Sequence, residues 1–249
     1  MTLTNLEILK GTCNIIGVLF GVLAGVVIAL KYSRYKKREL LLMGIVGILV
    51  TEPWWPHSIS FLYALVSGSN QGLDPRVFFL LGNLLIPLGI ITWLWVFSDL
   101  AYRNRRRLIL FIGVSYLVTY EIIFFSLLFL RPELIGELEG AVDVRYNYGM
   151  IGLLIPGLIL MITTGILFST ECFKSDKPEI RLKWKLILLA FSLYIVAATL
   201  EIFTSTNVFL IVLSKILLLA CATSFYIGFI MPRWMKRFLF REEPAIQEI

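Results

Sequence analysis

Ionisable side chains interrupt several long apolar runs of this 249-residue sequence. Glu52, His57, Glu121, Glu201 and Lys215 each lie within a stretch that is otherwise largely apolar. A charged group costs roughly 2.5–3.5 kcal/mol near the centre of a bilayer, so such groups face a protein interior and mark a binding site or an ion pathway. Carboxylates, an imidazole and an amine suit two kinds of chemistry: binding of a small ligand and proton relay.

Residue counting along the runs places most of these polar groups at one depth. With a rise of about 1.5 Å per helical residue, four of them fall at the same level in the outer half: His57, Asn83, Glu121 and Lys215. Glu201 lies nearer the outer surface, and Glu52 is deeper. The sequence therefore predicts one polar pocket, contributed by several helices, with Glu52 at its floor.

Aromatic residues and prolines near this level are expected to shape the pocket. The lining candidates are Trp54, Trp55, Tyr194 and Tyr226. Tyr194 and Tyr226 lie at helical spacing from small and polar residues, which is typical of a helix–helix face. Four prolines are expected to kink their helices: Pro53, Pro56, Pro87 and Pro156. Kinks at one level favour a cavity there.

The apolar runs themselves predict an all-α, polytopic membrane protein. The chain is 58% hydrophobic and 16% charged, with a mean hydropathy of +0.84. Runs of about 20 apolar residues are long enough to cross a bilayer as helices. We predict a seven-helix transmembrane domain over 1–231, with spans at about 8–31, 40–66, 76–98, 108–130, 148–172, 184–204 and 207–231, followed by a short amphipathic tail at 232–249.

The basic residues predict the orientation of these spans. Eighteen lysines and arginines fall in the connections after spans 1, 3 and 5 and in the tail, whereas four fall on the other side. Basic loops stay in the cytoplasm, which predicts an outer N-terminus and a cytoplasmic C-terminus in a multi-pass protein of the cell membrane. The net charge of +6 is explained by this pattern, so the bilayer is the expected partner and nucleic acid is not.

Other functional motifs are not evident in the sequence. The three cysteines lie at different depths, and no spacing typical of a metal site or of a catalytic constellation is present. The sequence therefore predicts no metal, no cofactor and no catalytic residue. The acidic segment RPELIGELEGAVDVRYN, between spans 4 and 5, is expected to be a solvated loop, a short outer helix or a lid.

The last span and its exit, SFYIGFIMPRWMKRFL, together with the seven-span plan, resemble two groups of proteins. These are stand-alone archaeal seven-helix membrane proteins of unassigned function and the seven-helix sensor region of some histidine kinases. The resemblance implies a receptor or sensor that binds a small or lipidic ligand in the outer-half pocket. Its signal would pass to a cytoplasmic partner.

Three other functions stay open. A proton-coupled transporter would use the intramembrane Glu, His and Lys side chains. A retinal-binding protein would carry its Schiff base on Lys215, although microbial rhodopsins have an aspartate where this chain has Ile211. An intramembrane enzyme acting on an isoprenoid or lipid would use Glu52 and Glu121, whose surroundings are similar to the acidic motifs of carotenoid cyclases.

Overall fold

The structure, a computed structural model, describes residues 3–68, 71–173, 178–203 and 208–230, without the side chains of 171–173, 178–180, 184 and 201–203. Within these ranges the chain is a bundle of helices with one small β-hairpin. The helices are α1 (Asn5–Tyr35), α2 (Arg38–Leu49), α3 (Trp55–Ser67), α4 (Pro75–Asn83), α5 (Ile86–Leu100), α6 (Arg106–Leu130), α7 (Tyr148–Phe173), α8 (Pro178–Phe203) and α9 (Val208–Ile230). Short 3₁₀ turns occupy Glu52–Trp54, Arg103–Arg105 and Pro132–Leu134.

Six helical segments of the described residues are long and apolar enough to cross a membrane. They are Asn5–Tyr35, Pro75–Leu100, Arg103–Leu130, Tyr148–Thr170, Arg181–Leu200 and Val208–Ile230. Their composition is that of a helical membrane protein, as the sequence predicts. The predicted second span, 40–66, is not one continuous helix but α2, the 3₁₀ turn and α3 in succession. The count of seven spans stays a prediction, as does the tail at 232–249, which lies outside the described residues.

Prolines explain where the second and third predicted spans are broken. Pro53 lies in the 3₁₀ turn, Pro56 in the first turn of α3, and Pro87 in the first turn of α5. Proline has no N–H group and favours the start of a helix, so each of these residues begins a new helical segment. Pro156, in contrast, lies inside the continuous helix α7.

Helices α1 and α2 pack very closely because glycines meet between them. A side chain added at Gly25 would meet the carbonyl of Gly44, and one added at Gly44 would meet the backbone of Ala29 and Gly25. Small residues at such positions let two backbones approach closely in membrane proteins, where dispersion and hydrogen bonding hold helices together.

The segment between α6 and α7 forms the β-hairpin. Strands β1 (Gly136–Glu139) and β2 (Asp143–Tyr146) pair antiparallel, from Gly136 opposite Tyr146 to Glu139 opposite Asp143. Gly140, with φ +75°, begins the turn, and glycine adopts this conformation without strain. The sequence suggested a loop, a short helix or a lid here. The alternating pattern of a hairpin was missed.

The hairpin turn docks onto the bundle, at what is called the hairpin end below. Ala141 and Val142 are buried and pack with Phe61 and Ala64 of α3. Glu7, which also completes the capping box of α1 with Thr4, accepts a hydrogen bond from the Ala141 N–H at 3.1 Å. The opposite end, where the connections α1–α2 and α5–α6 lie, is called the basic end.

Candidate functional site

A first polar group lies where the second and third predicted spans break. The break cluster comprises Glu52, Asn83, Tyr120 and Tyr146. Glu52 is fully buried, and its Oε1 accepts a hydrogen bond of 2.6 Å from the Leu85 N–H at the start of α5. A helix start has unsatisfied N–H groups that an acidic side chain stabilises. Glu52 lies at the break between α2 and α3 and caps α5 at the break between α4 and α5, so it connects the two breaks.

Asn83 and the two tyrosines complete the break cluster. The Tyr120 hydroxyl donates to the Asn83 carbonyl at 3.1 Å. In a continuous helix the N–H of residue 87 would donate to this carbonyl, but Pro87 has no N–H. The Asn83 amide donates to the Phe79 carbonyl at 2.9 Å and to the Tyr146 hydroxyl at 3.2 Å. Burial raises the pKa of Tyr146, on the hairpin, to about 12, so its hydroxyl stays protonated at neutral pH.

Glu121 lies next to the break cluster on α6. Its charge and that of Glu52 are close enough to interact. One carboxyl oxygen of each residue, Oε2, is buried and finds no hydrogen-bond partner among the described residues. Two buried acceptors without donors are costly, so this region can take up a proton or another positive charge.

A second region is an open crevice between α1, α2, α8 and α9. Its empty space is about 850 Å³ with the mouth included. The walls are mostly apolar and include Gly17, Gly21, Gly47, Phe191 and Phe225. A lining of this kind is typical of a site for an apolar ligand rather than of an ion pathway.

Polar side chains gather at one end of the crevice. The Lys215 Nζ lies 5.6 Å from the centre of the Trp54 ring, a cation–π geometry, and the Tyr194 ring meets Trp54 edge to face at 6.1 Å. Asn14 of α1 also lines the crevice. Trp54 and Glu52 are two residues apart, yet Trp54 lines the crevice whereas Glu52 caps α5.

His57 lies apart from both regions, against the hairpin. Its Nδ1 is 2.7 Å from the Val142 carbonyl, which assigns the ring proton to that nitrogen, and its ring meets Phe78 edge to face. Ser60, one turn further along α3, donates to the Ala141 carbonyl and accepts from the Leu73 N–H at 3.0 Å. His57 therefore helps to hold the hairpin turn.

The predicted single pocket is thus distributed over several places. Lys215, Trp54 and Tyr194 lie together at the crevice, and Glu52, Asn83 and Glu121 lie together at the breaks. Trp55 donates to Thr51 at 2.9 Å, and Tyr226 packs against the main core. The Glu201 side chain lies outside the described residues. As ligand-binding residues, all of them stay predictions.

Sequence reasoning missed several residues of these regions. Asn14 was overlooked, although an amide within an apolar run is the same kind of signal as Asn83. Gly17, Gly21 and Gly25 recur at four-residue spacing in span 1, and this small-xxx-small pattern marks a helix–helix face. Tyr146 had no such signal, because its partner Asn83 is 63 residues away in sequence.

The fold defines the class as a helical membrane protein with a buried polar cluster and an apolar crevice. Within the described residues, no group of three or more His, Cys, Asp or Glu side chains has the geometry of a metal site. No protein-family model matches the chain, and a search of the curated proteins found no significant match.

Proposed function

We propose that this protein is a membrane receptor or sensor that binds an apolar or lipidic ligand in the crevice between α1, α2, α8 and α9. In the orientation that the basic residues predict, the polar end of the crevice lies in the outer half of the membrane. The occupied crevice would change the packing of α8 and α9, and a cytoplasmic partner would detect the change at the basic end.

One observation carries this proposal: the bundle leaves open space among α1, α2, α8 and α9 and puts polar groups at one end of it. Elsewhere the described core is closely packed around large side chains such as Trp93, Phe97 and Phe168. Apolar ligand sites are concave, with a few polar groups that orient the ligand. Lys215, Tyr194 and Trp54 are such groups here.

The crevice also reaches toward the basic end. Phe225 lines its far part and packs against the main core, and its ring lies near Gly47 of α2. A ligand in the crevice would therefore contact α9 between Lys215 and Phe225, about half of its length. This is the path by which occupancy would reach the residues before Ile230.

A crevice-filling variant tests ligand binding. A side chain added at Gly17 would meet nothing within 4 Å, so Gly17→Phe places a ring in the open space of the crevice. Gly152→Phe on α7 is the matched control, because an added side chain there also meets nothing and Gly152 is exposed, away from the crevice. The three proteins would be purified in nanodiscs and their bound molecules measured by native mass spectrometry.

We expect the wild type and Gly152→Phe to retain a bound molecule that Gly17→Phe loses. Equal occupancy in all three proteins would contradict the proposal. Hydrogen exchange of residues 222–230 tests transmission: Gly17→Phe should mimic occupancy and change exchange there, whereas Gly152→Phe should not. An unchanged exchange pattern would contradict the sensor function, and only ligand binding would then remain.

A second candidate, a proton-coupled transporter, is favoured by a different observation. Two broken helical segments meet at the break cluster, and Glu52 and Glu121 each bury an oxygen without a partner among the described residues. Discontinuous helices of this kind surround the ion sites of many secondary transporters. Glu52→Gln and Glu121→Gln should then abolish proton flux into liposomes, measured with an internal pH dye. Wild-type liposomes no more permeable than empty ones would exclude this function.

A further inference from the structure

Basic side chains are concentrated around two turns of the bundle, α1–α2 and α5–α6. Residues 31–39 and 99–107 carry nine lysines and arginines but only two acidic residues. Both turns lie over the main core, since Met43 of α2 belongs to that core and Tyr102 packs against it. The nine cations are called the basic surface below: Lys31, Arg34, Lys36, Lys37, Arg38, Arg103, Arg105, Arg106 and Arg107. Such an excess of one charge attracts groups of the opposite sign.

Arg106 is the member of this surface that a carboxylate holds in place. It pairs with Asp99 at 3.0 Å and lies over the Trp95 ring at 5.0 Å, and the Trp95 N–H donates to Asp99 at 3.1 Å. The other arginines of the α5–α6 turn are exposed and form no salt bridge with any described residue: Arg103, Arg105 and Arg107. Their positive charge is therefore available to an external anion.

The basic surface lies where three of the long apolar segments meet its two turns. Asn5–Tyr35 and Pro75–Leu100 end there, and Arg103–Leu130 begins there. Large apolar side chains are exposed directly beside the basic ones: Leu30, Tyr35, Trp95, Leu100 and Leu108. Basic and aromatic residues beside the end of an apolar segment are typical of the level of the lipid headgroups.

A phospholipid matches both the charge and the apolar character of this surface. On α1, one surface depression is lined by Val27 and Leu30 and also by Lys31 and Arg34. A phosphate group at the cations would therefore bring its acyl chains alongside the apolar side chains. An acidic protein segment would supply the negative charge alone, so the combination favours a lipid over a protein partner.

We infer that the basic surface binds anionic phospholipid in preference to zwitterionic phospholipid. Its phosphate groups would lie against Arg103, Arg105 and Arg107 on one turn and against Arg34 and Lys37 on the other. Each lysine or arginine near a membrane surface strengthens association with anionic lipid about fivefold. A zwitterionic headgroup has the same phosphate, but its amine cancels the charge. This inference does not depend on the proposed ligand-binding function.

Lipid titration of the purified, detergent-solubilised protein tests the preference. Phosphatidylglycerol and phosphatidylcholine with identical acyl chains would be added separately, and native mass spectrometry would give the affinity for the first bound lipid. Phosphatidylglycerol should bind at least about fivefold more tightly. Raising the salt from about 0.1 M to about 1 M shortens the Debye length from about 10 Å to about 3 Å and should remove most of this difference. Equal affinities at the lower salt concentration would overturn the inference.

A pair of triple variants tests the location. The turn variant replaces exposed arginines of the basic surface: Arg103→Gln, Arg105→Gln and Arg107→Gln. The matched control replaces three exposed arginines away from it: Arg76→Gln, Arg131→Gln and Arg145→Gln. The turn variant should bind phosphatidylglycerol at least about fivefold more weakly and phosphatidylcholine as before, whereas the control should match the wild type. Equal losses in both variants would overturn the inference, because net charge alone would then explain the binding.

Structural damage is tested by the unfolding midpoint of each variant. If the turn variant unfolds, a second variant on the α1–α2 turn gives an independent loss of binding: Arg34→Gln, Lys37→Gln and Arg38→Gln. Two competitors test other anions, inorganic phosphate for a free phosphate site and polyglutamate for an acidic protein segment. At a concentration of anionic groups equal to that of the lipid, neither should displace phosphatidylglycerol. Displacement by either one would overturn the lipid assignment in favour of that class of anion.

Discussion

The break cluster and the crevice lie on opposite sides of the same 3₁₀ turn, and they treat polar side chains differently. At the break cluster, Glu52, Asn83 and Tyr120 serve backbone groups that the broken helices leave unpaired. At the crevice, Asn14 serves no backbone group in the described part of the chain, and its Oδ1 is buried without a hydrogen-bond partner there. A polar residue in an apolar helix therefore does not always serve a backbone group that a broken helix leaves unpaired.

This difference teaches how to interpret intramembrane polar residues. Non-helical backbone at membrane depth is tolerated only where protein or water satisfies its hydrogen bonds. Where a proline frees a backbone carbonyl or a helix start exposes an N–H, the nearest polar side chain has a structural task. Asn14 has no proline or helix break beside it, so it does not repair a backbone group of the kind that Glu52 and Tyr120 serve.

The strongest test of the comparison is Glu52→Ala. It removes the cap on α5 and leaves the Leu85 N–H buried, which should lower the free energy of unfolding by about 2–3 kcal/mol. Glu52→Gln keeps an acceptor oxygen and should lose about 1 kcal/mol or less. Unfolding in detergent, followed by circular dichroism, measures both. If Glu52→Ala were as stable as Glu52→Gln, the capping role would be refuted.

Tyr120→Phe should have the next largest effect on stability. The substitution deletes the donor to the Asn83 carbonyl and keeps the ring, at a cost of about 1–1.5 kcal/mol in the same unfolding assay. Ligand occupancy of the crevice should stay unchanged. A Tyr120→Phe protein that unfolds normally but loses its bound molecule would show that the two regions are not separate in function.

Ser60→Ala should loosen the hairpin without unfolding the bundle. The Ser60 hydroxyl joins the Ala141 carbonyl to the Leu73 N–H, so its loss should release the turn by about 1 kcal/mol. Trypsin cleavage after the exposed Arg145 should then accelerate about fivefold, the population change that corresponds to this free energy. Ser126→Ala on the exposed face of α6 is the control and should leave the cleavage rate unchanged.

The smallest effect is expected at two glycines one turn apart in α1. Gly17→Ala should stabilise the protein by about 0.5–1 kcal/mol, because the new methyl group meets open space and alanine favours a helix. Gly21→Ala should destabilise it, because its methyl group would overlap the Thr51 side chain. Equal unfolding midpoints for the two variants would mean that the crevice is closed at Gly17.

The sequence predicted much of the helical plan because length and hydropathy are local properties. It also placed Trp54, Tyr194 and Lys215 in one region from depth and helical spacing. It did not separate Glu52 from the crevice. The direction of the side chains near Pro53 depends on the conformation of the 3₁₀ turn, which the sequence pattern does not give. The partner of His57 was equally inaccessible, since Val142 is 85 residues away in sequence.

The docked hairpin affects the order in which the contacts of this protein can form during synthesis. Glu7 and Lys10, near the start of the chain, bond to Ala141 and Asp143, which are 134 and 133 residues later. At about 5–20 residues per second, a ribosome needs roughly 7–27 s to supply these partners. During that interval the first helices lack their contacts with the hairpin. The nascent chain therefore has a defined window in which a chaperone or the insertion machinery has access to that end of the bundle.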